Sequence, residues 1–217
     1  EEGRVTVKGY SDDGGIIADN LESRKAMPKT QWSFETHDAR DYGTKILKTV
    51  IGETRFDFPK SLYAVEDCLR LFLTNKSNAL IVDFFAGSGT TLHAVNLMNA
   101  TDGGNRRCIM VTNNEVSADE TKALSDSGRH PGDEEWEKLG IARYVTWPRT
   151  VCSIKGENIK GEPLKGNYIG SDIPMSDGFK ANAAFFKLGF LDKTSVALGR
   201  QFKEMLPTLW MKAGAHG

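Results

Sequence analysis

The sequence contains no apolar run approaching the roughly 18 residues that a membrane-spanning helix needs, and its first residues, Glu1-Glu2-Gly3-Arg4, resemble no signal peptide. A cytoplasmic protein is expected. Cysteine is scarce: Cys68, Cys108 and Cys152 are odd in number and far apart, which argues against a disulfide framework or a thiolate zinc site. His37, His93, His130 and His216 show no ligand spacing, so no metal is expected. Neither sign of charge dominates, and a net charge of −1 neither demands nor forbids DNA, because a cationic groove can coexist with acidic surface elsewhere. There is no internal repeat and no low-complexity tract. What remains, 217 residues of which 39% are hydrophobic and 26% charged, is ordinary for a globular protein with a sizeable core.

The informative stretch is Asn78 to Asn99. Ala79-Leu80-Ile81-Val82 is an unbroken apolar run, the pattern of a strand buried on both faces of a parallel sheet. Asp83 to Gly89 follows as a glycine-punctuated turn, and from Thr90 the spacing of Leu92, Val95 and Met98 predicts a helix. Glycines in such a turn let the backbone approach a ligand, while the helix start offers unpaired N–H groups to an anionic group. A phosphate-binding Walker loop is excluded because Thr90 and Thr91, not a Lys, follow Gly89. A dinucleotide fingerprint fits poorly, since Leu92 stands where a third small residue would let the helix pack close to the strand.

Asp83-Phe84-Phe85-Ala86-Gly87-Ser88-Gly89-Thr90-Thr91 resembles the S-adenosylmethionine motif of amino-group DNA methyltransferases, especially the modification subunits of type III restriction systems. Just upstream, Phe56-Asp57-Phe58-Pro59-Lys60-Ser61 is similar to that family's F-x-x-P-K-P element, with Ser61 in place of the second proline. The resemblance implies a doubly wound, mostly parallel α/β sheet of the Rossmann-like methyltransferase kind. It also implies S-adenosylmethionine as cofactor and a set of cofactor-binding residues: Phe58, Pro59 and Lys60, which close over the methionine end, and Asp83, Phe84, Phe85, Ala86, Gly87, Ser88, Gly89, Thr90 and Thr91. Downstream, Cys108-Ile109-Met110-Val111 reads as a second buried strand ending in Thr112-Asn113-Asn114-Glu115. An acid at such a strand end can accept both hydroxyls of a ribose; Glu115 has that place in the resemblance.

The reaction implied is methyl transfer to adenine N6 of a flipped base, with cytosine N4 as the alternative, because the motifs present concern only the cofactor. The family orients the target amine with a D/N/S-P-P-Y/F/W loop. This sequence has no Pro-Pro pair, and residues 1–82 are too few to hold that loop where the expected motif order requires it. With no starting Met and a closing run Lys212-Ala213-Gly214-Ala215-His216-Gly217, the chain is expected to be the carboxy-terminal, cofactor-binding part of a longer enzyme and inactive alone, with no catalytic residue assigned. Three segments are expected: a peripheral one (1–52), the cofactor-binding core (53–155) and a loop-rich extension (156–217). DNA is the expected partner, together with a restriction subunit or a second modification subunit. An assembly module is the competing class, with Gly156 to Trp210 as the docking region.

The rest of the chain gives smaller signals. Arg4 to Val7 alternates like a strand, Ser11 to Gly15 is a turn cluster, and a polar segment runs to Met27-Pro28-Lys29. Lys45 to Ile51 predicts a short helix stopped by Gly52. Ser61 can cap a helix with Leu62, Val65, Leu69 and Phe72 on its inner face and Glu66, Asp67 and Arg70 in solvent. Ser117 to Glu120 has the capping-box pattern. Tyr144 to Thr150 reads as a break at Pro148, Phe185 to Leu188 as a late strand, and Val196 to Trp210 as a helix interrupted by Pro207. Arg143 to Lys165 holds five bases against two acids, whereas Glu115 to Lys138 holds three against eight; the former is therefore the better candidate for touching phosphate.

Overall fold

The computed structural model describes residues 5–20, 29–52 and 56–214. Strands β1 (Val5–Tyr10) and β2 (Ile16–Asn20) form an antiparallel hairpin closed by the expected turn, in which Gly14 N–H donates to the Ser11 carbonyl at 2.8 Å. Arg4, the polar segment up to Met27-Pro28 and the final Ala215-His216-Gly217 lie outside the described residues.

A π-helical turn (Arg40–Thr44) runs into α1 (Lys45–Ile51), which ends at Gly52 with φ of 82°, the left-handed geometry that favours glycine. Gly43 is buried in that turn, and a Cβ there would lie 2.2 Å from the Pro59 carbonyl oxygen. Its missing side chain is what lets this segment seat against the Phe-x-x-Pro-Lys stretch.

Ser61 caps α2 (Leu62–Leu73) as anticipated, accepting from Ala64 N–H at 3.3 Å and donating to the Thr36 carbonyl at 2.6 Å. The buried face of α2 is centred differently from the expected stripe. Leu62, Tyr63 and Glu66 are buried, Val65 and Leu69 are half-buried, and Phe72 is exposed. Glu66, expected in solvent, turns inward and accepts from Arg70 Nη2 at 2.6 Å. Burial raises its carboxyl pKa, and the Arg70 hydrogen bond works against that rise.

Strand β3 (Leu80–Asp83), helix α3 (Thr90–Asp102) and strand β4 (Arg107–Met110) form a parallel unit, with Leu80 opposite Arg107 and Asp83 opposite Met110. Among the described residues this parallel pair and the β1–β2 hairpin are the two sheets, so the fold is mixed helix and strand with a small parallel sheet. The expectation that both strands are buried on both faces is corrected. Ile81, Asp83, Cys108 and Met110 are half-covered, while Leu80, Val82 and Ile109 keep 52%, 48% and 50% of their surface. An apolar strand is buried twice only when layers pack on both of its faces, and here α3 packs on one.

Helix α4 (Ala118–Asp126) starts at the anticipated capping box, with Glu120 N–H and Ser117 Oγ 3.4 Å apart and Ser117 Oγ donating to Glu120 Oε2 at 2.8 Å. Helix α5 (Glu134–Glu137) carries the buried Trp136. Next, a π-helical turn (Ala142–Thr146) passes directly into α6 (Trp147–Lys155). The expected break at Pro148 does not occur: Pro148 falls in the first turn of α6, where a missing backbone N–H costs little. Phe185 to Leu188, expected as a late strand, forms none: the segment is irregular and pairs with no strand among the described residues. The predicted late helix is divided at residues 198–201, where Gly199 has φ of 74°, giving α7 (Lys193–Ala197) and α8 (Phe202–Lys212) with Pro207 inside α8.

One hydrophobic core joins Leu47 and Val50 of α1, Leu62 of α2, Ala94 and Leu97 of α3, Cys152 of α6, and Tyr168 and Phe179 of the following loop. It thereby anchors the helix that starts at the glycine turn. No helix among the described residues is long and apolar enough to cross a membrane.

Candidate functional site

The glycine turn is held by its own first residue. Asp83 Oδ1 accepts from Phe85 N–H at 3.0 Å, and Asp83 Oδ2 accepts from Thr91 Oγ1 at 2.6 Å, so one carboxylate clamps the start of the turn to the first turn of α3. Ala86 N–H donates to the Val111 carbonyl at 3.2 Å, tying the turn to the chain just after β4, and Gly89 N–H closes back on the Ala86 carbonyl at 2.8 Å. The turn and the Thr112–Glu115 stretch therefore emerge side by side at the same end of the sheet.

Gly87 and Gly89 both have left-handed φ, 49° and 75°. A Cβ on Gly87 would meet Phe56 Cζ at 2.9 Å, and one on Gly89 would meet Thr146 Cγ2 at 3.2 Å. The glycines thus serve the chain's own packing as well as any ligand. The Phe56 contact also brings the two sequence motifs together in space: the Phe-x-x-Pro-Lys stretch lies against the glycine turn. Its remaining residues divide by environment. Pro59 is buried, Lys60 is exposed, and Phe58 is exposed with a φ of 54°, a conformation that a bulky side chain rarely adopts. Phe84 and Phe85 are exposed beside the turn, Phe85 with 91% of its surface free, whereas Ala86 is buried. Glu115 is exposed, and its carbonyl accepts from Ile141 N–H at 2.8 Å.

Ser88 and Thr90 turn inward to a group that sequence reasoning did not nominate. The fully buried Arg149 of α6 donates through Nη1 to Thr90 Oγ1 at 2.8 Å, to Ser88 Oγ at 3.2 Å and to the Ser88 carbonyl at 3.3 Å. Its Nε donates to His93 Nδ1 at 3.3 Å, so the His93 proton is on Nε2 and is shared with Tyr168 Oη at 2.9 Å. Burial, and then the Arg149 charge, depress the His93 pKa, keeping the ring neutral, and burial lowers Arg149 to about 10, still charged at neutral pH. Burial raises the pKa of Tyr168, whose ring stacks on Phe179. Thr146 completes this floor, its hydroxyl donating to the Gly87 carbonyl.

A signal for this floor was present in the sequence. On one helical stretch, Thr146, Arg149, Thr150 and Ser153 recur at i, i+3, i+4 and i+7, and all four are buried. A polar stripe ordinarily marks the solvent face, and here it marks the buried one. Within the basic segment Arg143 to Lys165, Arg149 is internal, and the exposed cations are Arg143, Lys155, Lys160 and Lys165.

These residues suit a nucleoside carrying an anionic group. The exposed Phe84, Phe85 and Phe58 offer aromatic surface, Glu115 is an unburied carboxylate at the same sheet end, and the first N–H groups of the 13-residue α3 are unpaired within the helix.

Known proteins carry related segments. The chain is 37% identical over 117 residues to the Type II methyltransferase M.KpnI of Klebsiella pneumoniae, which covers 52% of this chain and 24% of that protein. It is 32% identical over 114 residues to the Type III restriction-modification enzyme StyLTI Mod subunit of Salmonella typhimurium, covering 52% and 17%. It is 35% identical over 89 residues to the Type III restriction-modification enzyme EcoPI Mod subunit of Escherichia phage P1, covering 41% and 13%. The chain therefore spans less than a quarter of the length of each of these relatives. Residues 6–173, most of the chain and all of the turn described above, match the N6/N4 methyltransferase family described as DNA methylase, and the chain belongs to that family.

Proposed function

We propose that this chain holds S-adenosylmethionine within a DNA methyltransferase that modifies adenine at N6. The observation that carries the reading is the meeting of Phe56 with Gly87, because it joins the Phe-x-x-Pro-Lys stretch to a glycine turn between a parallel strand and a helix. In this reading Gly87 and Gly89 admit the cofactor's methionine end to the turn backbone, with Phe58, Pro59 and Lys60 closing beside it. Phe84 and Phe85 give apolar cover, Glu115 accepts the ribose hydroxyls, and Asp83, Ser88, Thr90 and Thr91 keep the turn and helix start in shape. The bound cofactor supplies a methyl group activated on a sulfonium. The Type III Mod relatives favour adenine, and the family covers cytosine N4 as well.

Target-amine orientation is assigned to residues outside this sequence, which has no Pro-Pro pair. The expected result is that the purified chain transfers no labelled methyl group to DNA, while a longer protein carrying it produces N6-methyladenine, read by mass spectrometry. N4-methylcytosine without N6-methyladenine would refute the choice of base, and robust transfer by the chain alone would refute the division of labour.

A second reading, an assembly module, is favoured by α8, where Phe202, Leu206, Leu209 and Trp210 lie at helical spacing and remain substantially exposed. These residues follow the matched family region. If this helix docks a second copy, light scattering should give a dimer mass that Leu206→Glu returns to monomer; a monomeric wild-type protein would count against it.

A further inference from the structure

A buried guanidinium ordinarily has a carboxylate beside it, since an isolated charge in a protein interior is costly. Arg149 has none. Its surroundings are Ser88 of the turn, Thr90 and His93 from α3, Tyr168 from the following loop, and Thr146, Thr150 and Ser153 on its own helical stretch, all of them uncharged. Its Nη2 is buried with no hydrogen-bond partner among the described residues. One Arg nitrogen holds the Ser88 carbonyl and both hydroxyls of the turn, so the charge stands directly behind the backbone of Ser88, between Gly87 and Gly89.

We propose that Arg149 is a positioning residue of the cofactor turn that also sets its charge preference: an uncompensated cation behind the turn disfavours a sulfonium in front of it and favours the neutral thioether. The inference rests on the cofactor reading given above. S-adenosylmethionine and S-adenosylhomocysteine share the adenosine, the carboxylate and the ammonium, and differ by one methyl group and one positive charge at sulfur. Contacts that shape the turn act on both ligands alike, whereas a fixed charge acts on the difference between them. Because the guanidinium lies in a dry interior, salt screens it weakly.

The test is calorimetric titration of the protein with each of the two ligands. The wild-type protein should bind S-adenosylhomocysteine more tightly than S-adenosylmethionine. Arg149→Met removes the charge at similar length and should reduce that preference about threefold to tenfold, a coupling of about 0.7–1.4 kcal/mol. Arg149→Lys keeps the charge and should preserve the ratio even where both affinities fall. If Arg149→Met does not fold, Arg149→Gln, which can still reach the hydroxyls of Ser88 and Thr90, serves as the neutral variant. A neutral variant that weakens both ligands equally would reduce Arg149 to a structural strut and overturn the charge proposal alone. A wild-type protein that binds neither ligand would overturn the cofactor reading and this inference with it.

Discussion

Replacing Gly87 with Val should abolish measurable S-adenosylmethionine binding, lowering affinity by about 100-fold or more at the centre of the expected range. Two costs combine. Gly87 has φ of 49°, a conformation that costs an L-residue about 1–2 kcal/mol and a β-branched one more. Its Cβ would also lie 2.9 Å from the Phe56 ring, an overpacking contact of about 1–3 kcal/mol if the ring cannot move. At about 1.4 kcal/mol per factor of ten, either cost is felt, and their sum of about 2–5 kcal/mol corresponds to roughly 1.5 to 3.5 decades. Because Phe56 belongs to the Phe-x-x-Pro-Lys stretch, the ring that must give way would carry part of the site with it. Gly87→Ala, with the same φ penalty and less bulk, should fall between the two. Calorimetry with the cofactor and a thermal melt of each variant would check this; undiminished binding by Gly87→Val in a folded protein would remove the turn from the site.

The division between what could and could not be read from the sequence follows from the range of the interactions. Gly52 after a short apolar run, Ser61 before Leu62, and Ser117 with Glu120 each act over at most one helical turn, and each appears where its side chain requires it. The strand, glycine turn and helix from Leu80 to Asp102 are local in the same sense. The floor of the site is not. Arg149 is buried only because Ser88, Thr90 and His93, about sixty residues earlier in the chain, supply its acceptors, so its burial leaves no trace near Arg149 itself. Pro148 is ambiguous for a related reason: a proline inside a helical pattern breaks it, whereas a proline in the first turn does not, and which of these applies depends on where the preceding π-helical turn ends.

Burial of the sheet differs from the expectation in the opposite direction. An apolar run such as Ala79 to Val82 records what the strand must be covered by, not what covers it within this sequence. Leu80, Val82, Ile109 and Val111 present one continuous apolar character on the open side of the two strands, with Phe84 and Phe85 at the turn end. The inward turn of Glu66 is likewise set by its partner, since Arg70 one helical turn later makes a buried carboxylate tolerable.

The opposite end of α3 governs stability rather than the site, and Arg106→Met should show it. The Arg106 side chain is fully buried and forks onto Asp102, with Nη1 to Oδ1 and Nη2 to Oδ2 both 2.9 Å. Nη2 also donates to the Leu73 carbonyl at 3.0 Å, so one guanidinium ties the last turn of α2 to the last turn of α3, while the Arg106 backbone exchanges hydrogen bonds with Asn99 at the start of β4. Removing it leaves the Leu73 carbonyl and the Asp102 carboxylate without this partner. Asp102 retains partial access to water, so the cost should be about 3 kcal/mol, at the low end for a broken buried pair, or roughly 6–12 °C in Tm for a chain of this size. The pH dependence has a definite sign. The Arg106 hydrogen bond, first among several causes, holds the Asp102 carboxyl below its ordinary value of 3.8, so the associated stability is present above that value and is lost as pH falls through the folded one. The gap between wild-type and Arg106→Met should therefore be full at pH 7 and should narrow below about pH 4. Helix α3, 13 residues long, separates Arg106 from the glycine turn by about 20 Å, so the folded fraction of the variant should bind cofactor as wild-type does. Denaturant melts at pH 7 and pH 3, paired with calorimetry at pH 7, decide the matter: a gap under about 1 kcal/mol at pH 7, the size of one ordinary hydrogen bond, or one that widens in acid, would show that Arg106 does not hold the two helix ends together.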